Sequence, residues 1–161
     1  MRQRAYVQRG RRQIRFLQGI GPPLQMAVVG SPEYFQRHPI PRAPGDLTAH
    51  QCINQRMPTS GGLYVWDFEK RGRKVNVRVD GPLIFNTAPP QIDASLAGLG
   101  ISLLPEDEVM AHMQAGRLVR VLQDWCPKFA GYHLYYPSKR QASPAFSLVV
   151  KALRFSGSRN Q

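Results

Sequence analysis

Cysteine is scarce. Cys52 and Cys126 are the only two in 161 residues, too few and too far apart for a disulfide framework, and neither belongs to a Cys-x-x-Cys pair of the kind that holds zinc or exchanges disulfides. Two free thiols are expected. Acidic residues are sparse as well: ten Asp and Glu stand against 22 Lys and Arg, giving a formal net charge of +12. Such a surplus argues for nucleic acid only when it is spread over a folded face. Here Arg2, Arg4, Arg9, Arg11, Arg12 and Arg15 all precede the first acid, Glu33, and without those six the +12 falls to about +6. The arginine run shows no helix-turn-helix pattern and no interleaved stacking aromatics, so a disordered extension is favoured over a DNA-contacting arm. No apolar run is long enough to span a bilayer, and Met1-Arg2-Gln3-Arg4 lacks the apolar core of a secretory signal, which makes a cytoplasmic protein the expectation. A glycine-rich nucleotide fingerprint is missing too, and no nucleophile, base and orienting group fall into a recognisable arrangement, so an enzyme is not expected.

The chain does contain one well-punctuated stretch, from Leu83 to Pro105. Leu83, Ile84 and Phe85 form a short apolar run between Gly81-Pro82 and Asn86-Thr87, which reads as a buried strand. A helix is predicted next, because Ile92, Leu96 and Leu99 recur at i, i+4 and i+7 while Ala94 and Ala97 are small enough to lie close on a sheet. Gly98 and Gly100 stop it, and Ile101 to Leu104 reads as a second buried strand ended by Pro105. A crossover of this length joins parallel strands, so the fold class is α/β. Ligands of such sheets lie outside the carboxyl ends of the strands, which brings the Asn86-Thr87 turn forward as the candidate site. Pro89 and Pro90 remove two backbone donors from the first turn of the helix. Its dipole still favours an anionic group, but the terminus is not a full amide cradle for a phosphate.

The flanking residues supply further elements. Residues 1–25 read as a basic, irregular segment, since Gly19, Gly21, Pro22 and Pro23 interrupt any regular structure. Met26 to Val29 reads as a strand, and Ser31-Pro32-Glu33 opens a short helix through Arg37 that presents Tyr34 and Phe35 to packing. Pro39, Pro41 and Pro44 make a stiff connection, Asp46 to His50 one helical turn, and Gln51 to Asn54 a brief strand. Leu63 to Phe68 alternates, as do Val75, Val77 and Val79, so the two should pair as an antiparallel hairpin around Lys70-Arg71-Gly72-Arg73, a solvated charged tip. Glu106-Asp107-Glu108 opens a helix with Val109, Met110 and Met113 on its apolar side, its three carboxylates in solvent. Leu118 to Leu122 and Gly131 to Tyr136 are further strands. Ser143-Pro144 starts a final helix with Phe146, Val149, Val150 and Leu153 on one stripe that needs a partner surface. His50, Cys52, Cys126 and His133 match no zinc spacing and read as buried thiols and surface histidines, so no metal or cofactor is expected. Trp66 and Trp125 are expected in or near the core.

Together these residues resemble the effector-binding domain of LysR-type transcriptional regulators. The resemblance rests on Met26-Ala-Val-Val-Gly-Ser-Pro-Glu-Tyr-Phe35 with Arg37-His38-Pro39, on Pro44-Gly-Asp-Leu-Thr-Ala-His50 with Cys52-Ile53, and on Trp66-Asp-Phe68. It continues through Gly81-Pro-Leu-Ile-Phe-Asn86, Ala94-Ser-Leu-Ala-Gly-Leu-Gly-Ile101 with Leu104-Pro105, Gly116-Arg-Leu-Val119 with Asp124-Trp125, and Leu134-Tyr-Tyr-Pro137 with Ser143-Pro144. The resemblance implies a periplasmic-binding-protein-like lobe with a mixed, mainly parallel sheet, together with the hinge strands and C-terminal helix of an incomplete second lobe. On this reading residues 26–155 form a partial domain: 30–131 the main lobe, Met26 to Val29 and Tyr132 to Tyr136 hinge strands, 132–155 hinge strand and final helix, and 156–161 a tail. A truncated regulator without its N-terminal helix-turn-helix is the expectation, able to reach promoter DNA only through that missing domain.

The implied partner is a small organic effector, with an anionic group compatible with the site, and a homo-oligomer is among the expected assemblies. The resemblance places Asn86, Thr87 and Ala88 at the pocket, with Ser31 and the stretch Ile53 to Arg56 as weaker candidates. Asn86 and Thr87 read equally well as a helix cap and turn, and Arg56 as a solvated loop charge. Two other classes stand beside the ligand-sensing domain: a solute-binding protein of a transport system, which needs an export signal and a full second lobe, and a basic nucleic-acid-binding fragment acting through the arginine-rich N-terminus.

Overall fold

Alternating apolar strand residues and glycine or proline stops build an α/β lobe over Leu24–Lys128, in a computed structural model that describes residues 16–19, 22–57, 61–129, 131, 133–136 and 143–153. In chain order the elements are β1 (Phe16–Gly19), β2 (Leu24–Gly30), α1 (Pro32–Arg37), β3 (Cys52–Gln55), β4 (Trp66–Lys70), β5 (Arg73–Val77) and β6 (Ile84–Phe85). They continue with α2 (Ala88–Leu96), β7 (Ile101–Pro105), α3 (Glu106–Gln114), β8 (Val119–Val121), β9 (Lys128–Phe129), β10 (His133–Tyr136) and α4 (Pro144–Leu153). Two 3-10 helices, Pro44–Ala49 and Gln123–Trp125, precede β3 and follow β8. The arginines of residues 1–15, Tyr132, the 156–161 tail, and the side chains of His133, Val150 and Leu153 lie outside the described residues.

The lobe's sheet runs in the order β6-β3-β7-β2-β8. β6 and β7 both lie parallel to β3, with Asn54 opposite Ile84 and Cys52 opposite Ile101, so the β6-α2-β7 crossover joins parallel strands as the sequence predicts. β2 is antiparallel to both β7 and β8. The sheet is therefore mixed and, as expected, mainly parallel in direction: of these five strands β6, β3, β7 and β8 run one way and β2 alone enters from the opposite direction. β2 lies within this sheet, between β7 and β8. Its alternation divides the core: Val28 joins Tyr34, Leu47, Trp66, Phe68 and Val77 on one face, while Ala27 and Val29 join Leu104, Val109 and Leu118 on the other. One face thus receives α1 and the hairpin, the other α2 and α3.

Local chemistry sets several elements as expected. Ser31 caps α1, its Oγ accepting from the Tyr34 N–H at 3.2 Å, and Pro32 takes the first turn. The β4-β5 hairpin turns at Arg71 (φ 53°) and Gly72 (φ 79°), the paired left-handed residues that a two-residue hairpin loop requires. Gly81 packs its backbone on β3 so closely that a Cβ there would lie 1.9 Å from the Cys52 carbonyl oxygen, and the Cys52 N–H donates to Asp80 O at 2.9 Å.

Elsewhere tertiary packing overrules the sequence reading. Leu83–Phe85 is not a buried strand: β6 has two residues, lies at the sheet edge, and leaves Ile84 41% exposed. Leu99 falls beyond α2 and is exposed, while Ala94 and Ser95 bring the helix onto the sheet, Ser95 Oγ lying 2.7 Å from Ser102 Oγ. Met110 is exposed, and Glu106, expected in solvent, is partly buried and paired with Arg120. β4 begins at Trp66, leaving Leu63 and Val65 exposed. His50 is buried, not a surface residue.

Residues 1–23 and 129–161 form a second unit. There Phe16–Gly19, read as irregular from the sequence, is β1, antiparallel to β10 with Phe16 opposite Tyr136 and Gly19 opposite His133. A strand partner more than a hundred residues away supplies the order that local glycines and prolines argue against. Ser143 opens α4 as expected, its Oγ accepting from the Phe146 N–H.

Candidate functional site

Because β3 and β6 run parallel, their carboxyl ends emerge side by side. Three hydrogen bonds hold them there: Asn54 N–H to Leu83 O at 3.0 Å, Arg56 N–H to Phe85 O at 2.8 Å, and Gln55 Nε2 to Asn86 O at 3.4 Å. The ladder delivers the chain to the Asn86-Thr87 turn and into α2. Thr87 occupies the N-cap with extended backbone (φ −139°, ψ 161°), yet its side chain makes no cap hydrogen bond. Its hydroxyl is not committed to the helix. Gln91, one turn on and buried, holds the turn from below by donating to Thr87 O at 3.2 Å. Asn86 and Thr87 are exposed, and Ala88 is half-buried against the α2 side of the core.

Arg56 stands on the same edge. It is exposed, and Nη1 donates to Gly61 O at 2.8 Å, while Met57 N–H to Gly62 O and Gly61 N–H to Met57 O tie the base of the loop that follows. An amide, a hydroxyl and a guanidinium therefore share one edge with the first turn of α2. Pro89 and Pro90 sit in that turn and contribute no N–H, so polar recognition falls on the side chains more than on backbone amides.

Two sequence candidates are not at this edge. Ser31 follows β2, which is antiparallel to β7, so it lies level with the amino end of β7, about five strand residues or ~16 Å from the turn. It is buried, its Oγ caps α1, and a Cβ on Gly98 would lie 3.3 Å from that Oγ. Ile53 is on β3, but its side chain is buried in the lobe, so the period of the strand turns it from the edge.

The sequence reading took in Asn54 and Gln55 only as part of the Ile53 to Arg56 stretch and did not single out Gln91. Buried Asn54 accepts from Trp66 Nε1 at 3.2 Å and from Gln55 N–H at 2.7 Å, and donates to Tyr64 O at 3.1 Å, which anchors the β3–β4 connection beside the edge. The available signal was polar amides inside or just beyond apolar runs, where an unpaired group would be costly.

A second polar cluster holds the carboxyl end of β7. Arg120 pairs with Glu106 at the start of α3 and donates to Met26 O at 3.2 Å, binding β8, α3 and β2 together. Cys126 lies nearby, its carbonyl accepting from Gln25 Nε2. Burial, the largest cause in both cases, pushes the Cys52 thiol up to about 12 and the Cys126 thiol up to about 11, so neither is a ready nucleophile. Among the described residues no three of His, Cys, Asp and Glu group to hold a metal, and no helix is long and apolar enough to cross a membrane.

Known proteins share this fold. A family model described as the LysR substrate binding domain matches residues 22–156. A Pseudomonas aeruginosa protein named "Putative transcriptional regulator" is 64% identical over 137 residues, covering 85% of this chain and 45% of its own length. The HTH-type transcriptional regulator PgrR of Escherichia coli K12 is 44% identical over 138 residues, covering 86% of this chain and 46% of its own length. This chain thus spans less than half the length of these two relatives. Among solved structures, the regulatory domain of variant C227S of AphB from Vibrio vulnificus superposes with a TM-score of 0.71 at 26% identity, covering 86% of this chain and 68% of that one. The matched residues take in both strands of the edge, the turn and α2, and on that match this chain belongs to the LysR substrate-binding domain family.

Proposed function

We propose that the edge formed by Gln55, Arg56, Asn86, Thr87 and Ala88 binds the small organic effector of a LysR-type transcriptional regulator. The supporting observation is the convergence of those residues at the carboxyl ends of parallel β3 and β6, with the Thr87 hydroxyl unspent on its own helix. Arg56 supplies charge for an anionic group, and Asn86 and Thr87 give or accept a hydrogen bond to fix its orientation. Ala88, small and half-buried, leaves room against the helix start. The reading is non-enzymatic: it assigns recognition, not bond making, to this chain, and leaves promoter contact to the parts of a regulator that the relatives carry beyond the matched region.

A thermal-shift screen of small aliphatic and aromatic carboxylates, with titration calorimetry on the compounds that raise the melting temperature, tests it. Arg56→Gln and Thr87→Val should each weaken a positive compound by roughly 10- to 100-fold, the worth of about 1.5–3 kcal/mol for a charge-assisted hydrogen bond. Arg73→Gln, exposed on the hairpin, should leave it unchanged. Equal binding by wild type, Arg56→Gln and Thr87→Val would place the effector elsewhere.

A further inference from the structure

At the end of the sheet opposite the proposed effector edge, α1 and the connector after it are fastened to the start of β3 through aromatic and imidazole side chains. Tyr34, buried on α1, accepts the Gln51 N–H at its hydroxyl (3.1 Å), and His50 Nδ1 lies 3.1 Å from the same oxygen. With the hydroxyl accepting from Gln51, the arrangement that also uses its own proton has it donated to His50 Nδ1. That bond needs an unprotonated Nδ1, hence a neutral imidazole.

His38 behaves differently. Its Nδ1 is 3.0 Å from the Tyr34 carbonyl oxygen, which only accepts, so Nδ1 carries the proton and donates. Its ring stacks on Tyr34 at 4.2 Å and 12°, and its centroid is 6.3 Å from that of His50. His38 therefore stands beside the imidazole that receives the Tyr34 proton. A hollow of about 630 Å³, lined by Pro39, Ile40, Pro41, Arg42, Asp46, Ala49 and His50, gives solvent a route to His50.

We propose that Tyr34, His38 and His50 form a proton-operated latch, closed at neutral pH and released by mild acid, that fastens α1 and the Pro39–Ala49 connector to the head of β3. The groups facing His50 are Tyr34 from α1, His38 at its C-cap, and Arg42 and Asp46 from the connector. Asp46 is the one acid among these four. Its Oδ2 already accepts the Arg42 and Ala43 N–H groups, at 2.8 and 2.9 Å, and it is exposed, so it offsets only part of the cost of a cation at His50. Burial chiefly, and His38 next, hold His50 below its usual range, against the opposite pull of Asp46.

The direction follows from linkage. An unfolded histidine takes its proton near pH 6.5, whereas folded His50 resists it to lower pH. The stabilisation is complete above about pH 6.5 and is lost as the pH falls below that towards the folded value. The strand fastened in this way is β3, whose far end carries Gln55 and Arg56.

The test uses the full chain. Ring carbon and nitrogen shifts of His50 and His38 are titrated by NMR, Gln51 amide exchange is measured across the same range and corrected for intrinsic rate, and melting is followed from pH 7.5 to 5.5 for wild type, Tyr34→Phe, His38→Gln, His50→Gln and, as control, His112→Gln. Wild-type His50 should titrate below the ordinary histidine range, with Gln51 losing protection in step. His50→Gln should lose about half or more of the acid-induced fall in melting temperature, and His112→Gln should keep it. A His50 ring titrating at or above the ordinary value, or Gln51 protection indifferent to it, overturns the proposal without any variant. Parallel profiles for wild type and a folded His50→Gln overturn it as well.

Discussion

Gly81→Ala should be among the most damaging single-methyl additions to this lobe. The added Cβ would lie 1.9 Å from the Cys52 carbonyl oxygen, 2.7 Å from its nitrogen and 2.8 Å from its carbonyl carbon. Ordinary contact begins near 3.4 Å, so the segment has to retreat by about 1.5 Å, and the obstacle is strand backbone, which has no rotamer to change. A retreat of that size stretches the 2.9 Å Cys52 N–H to Asp80 O bond past any useful length and leaves the Cys52 amide, on a fully buried residue, without its partner. Overpacking costs about 1–3 kcal/mol and an orphaned buried donor about 1–3 more. Taken together and allowing for overlap, the loss should be about 3 kcal/mol or more, a fall in melting temperature of roughly 6–12 °C for a chain of this size. Urea unfolding followed by tryptophan fluorescence reads it, since Trp66 is 1% exposed. Gly45→Ala is the matched control: nothing lies within 4 Å of its added Cβ, and its φ is not left-handed, so the change should stay within about 1 kcal/mol and can stabilise. Similar midpoints for Gly81→Ala and Gly45→Ala would refute the close approach of this segment to β3, and with it the position given to the Asn86-Thr87 turn.

Two further outcomes follow from buried groups. Asn54→Ala strands the buried Trp66 indole N–H and should cost about 2–3 kcal/mol in urea unfolding, and the double variant with Trp66→Phe should cost less than the sum of the two singles. Ellman's reagent at pH 8 should find neither Cys52 nor Cys126 in the folded protein and both after unfolding, because each thiol is buried and held far above that pH; fast labelling of the native chain would contradict their surroundings.

What the sequence reveals and what it hides divide along the range of the forces involved. Ser31-Pro32-Glu33, Lys70-Arg71-Gly72-Arg73 and the Leu83–Pro105 crossover are legible because capping, turn geometry and crossover length act over a few residues. The Asn86-Thr87 turn is legible for the same reason, since a strand handing over to a proline-led helix is a local event. Leu99 and Met110 fit the apolar periodicity read from the sequence, yet Leu99 falls beyond the end of α2 and both are exposed. Ile53 and Ser31 looked available for a ligand until strand order turned one inward and put the other at the far end. The antiparallel entry of β2 and the strand at Phe16–Gly19 depend on partners distant in sequence, which no local pattern encodes. His50 reads as a surface histidine until Tyr34, sixteen residues earlier, is seen to bond it.

The order β6-β3-β7-β2-β8 has a consequence for how the lobe is made. β2 is the first of these strands to leave the ribosome, yet its neighbours in the ladder, β7 and β8, are among the last. Until β7 has emerged the Leu24–Gly30 segment has neither of these ladder neighbours, an apolar ribbon open to pairing with another nascent chain. Its second edge waits longer still, until Val121 closes the lobe around its own middle.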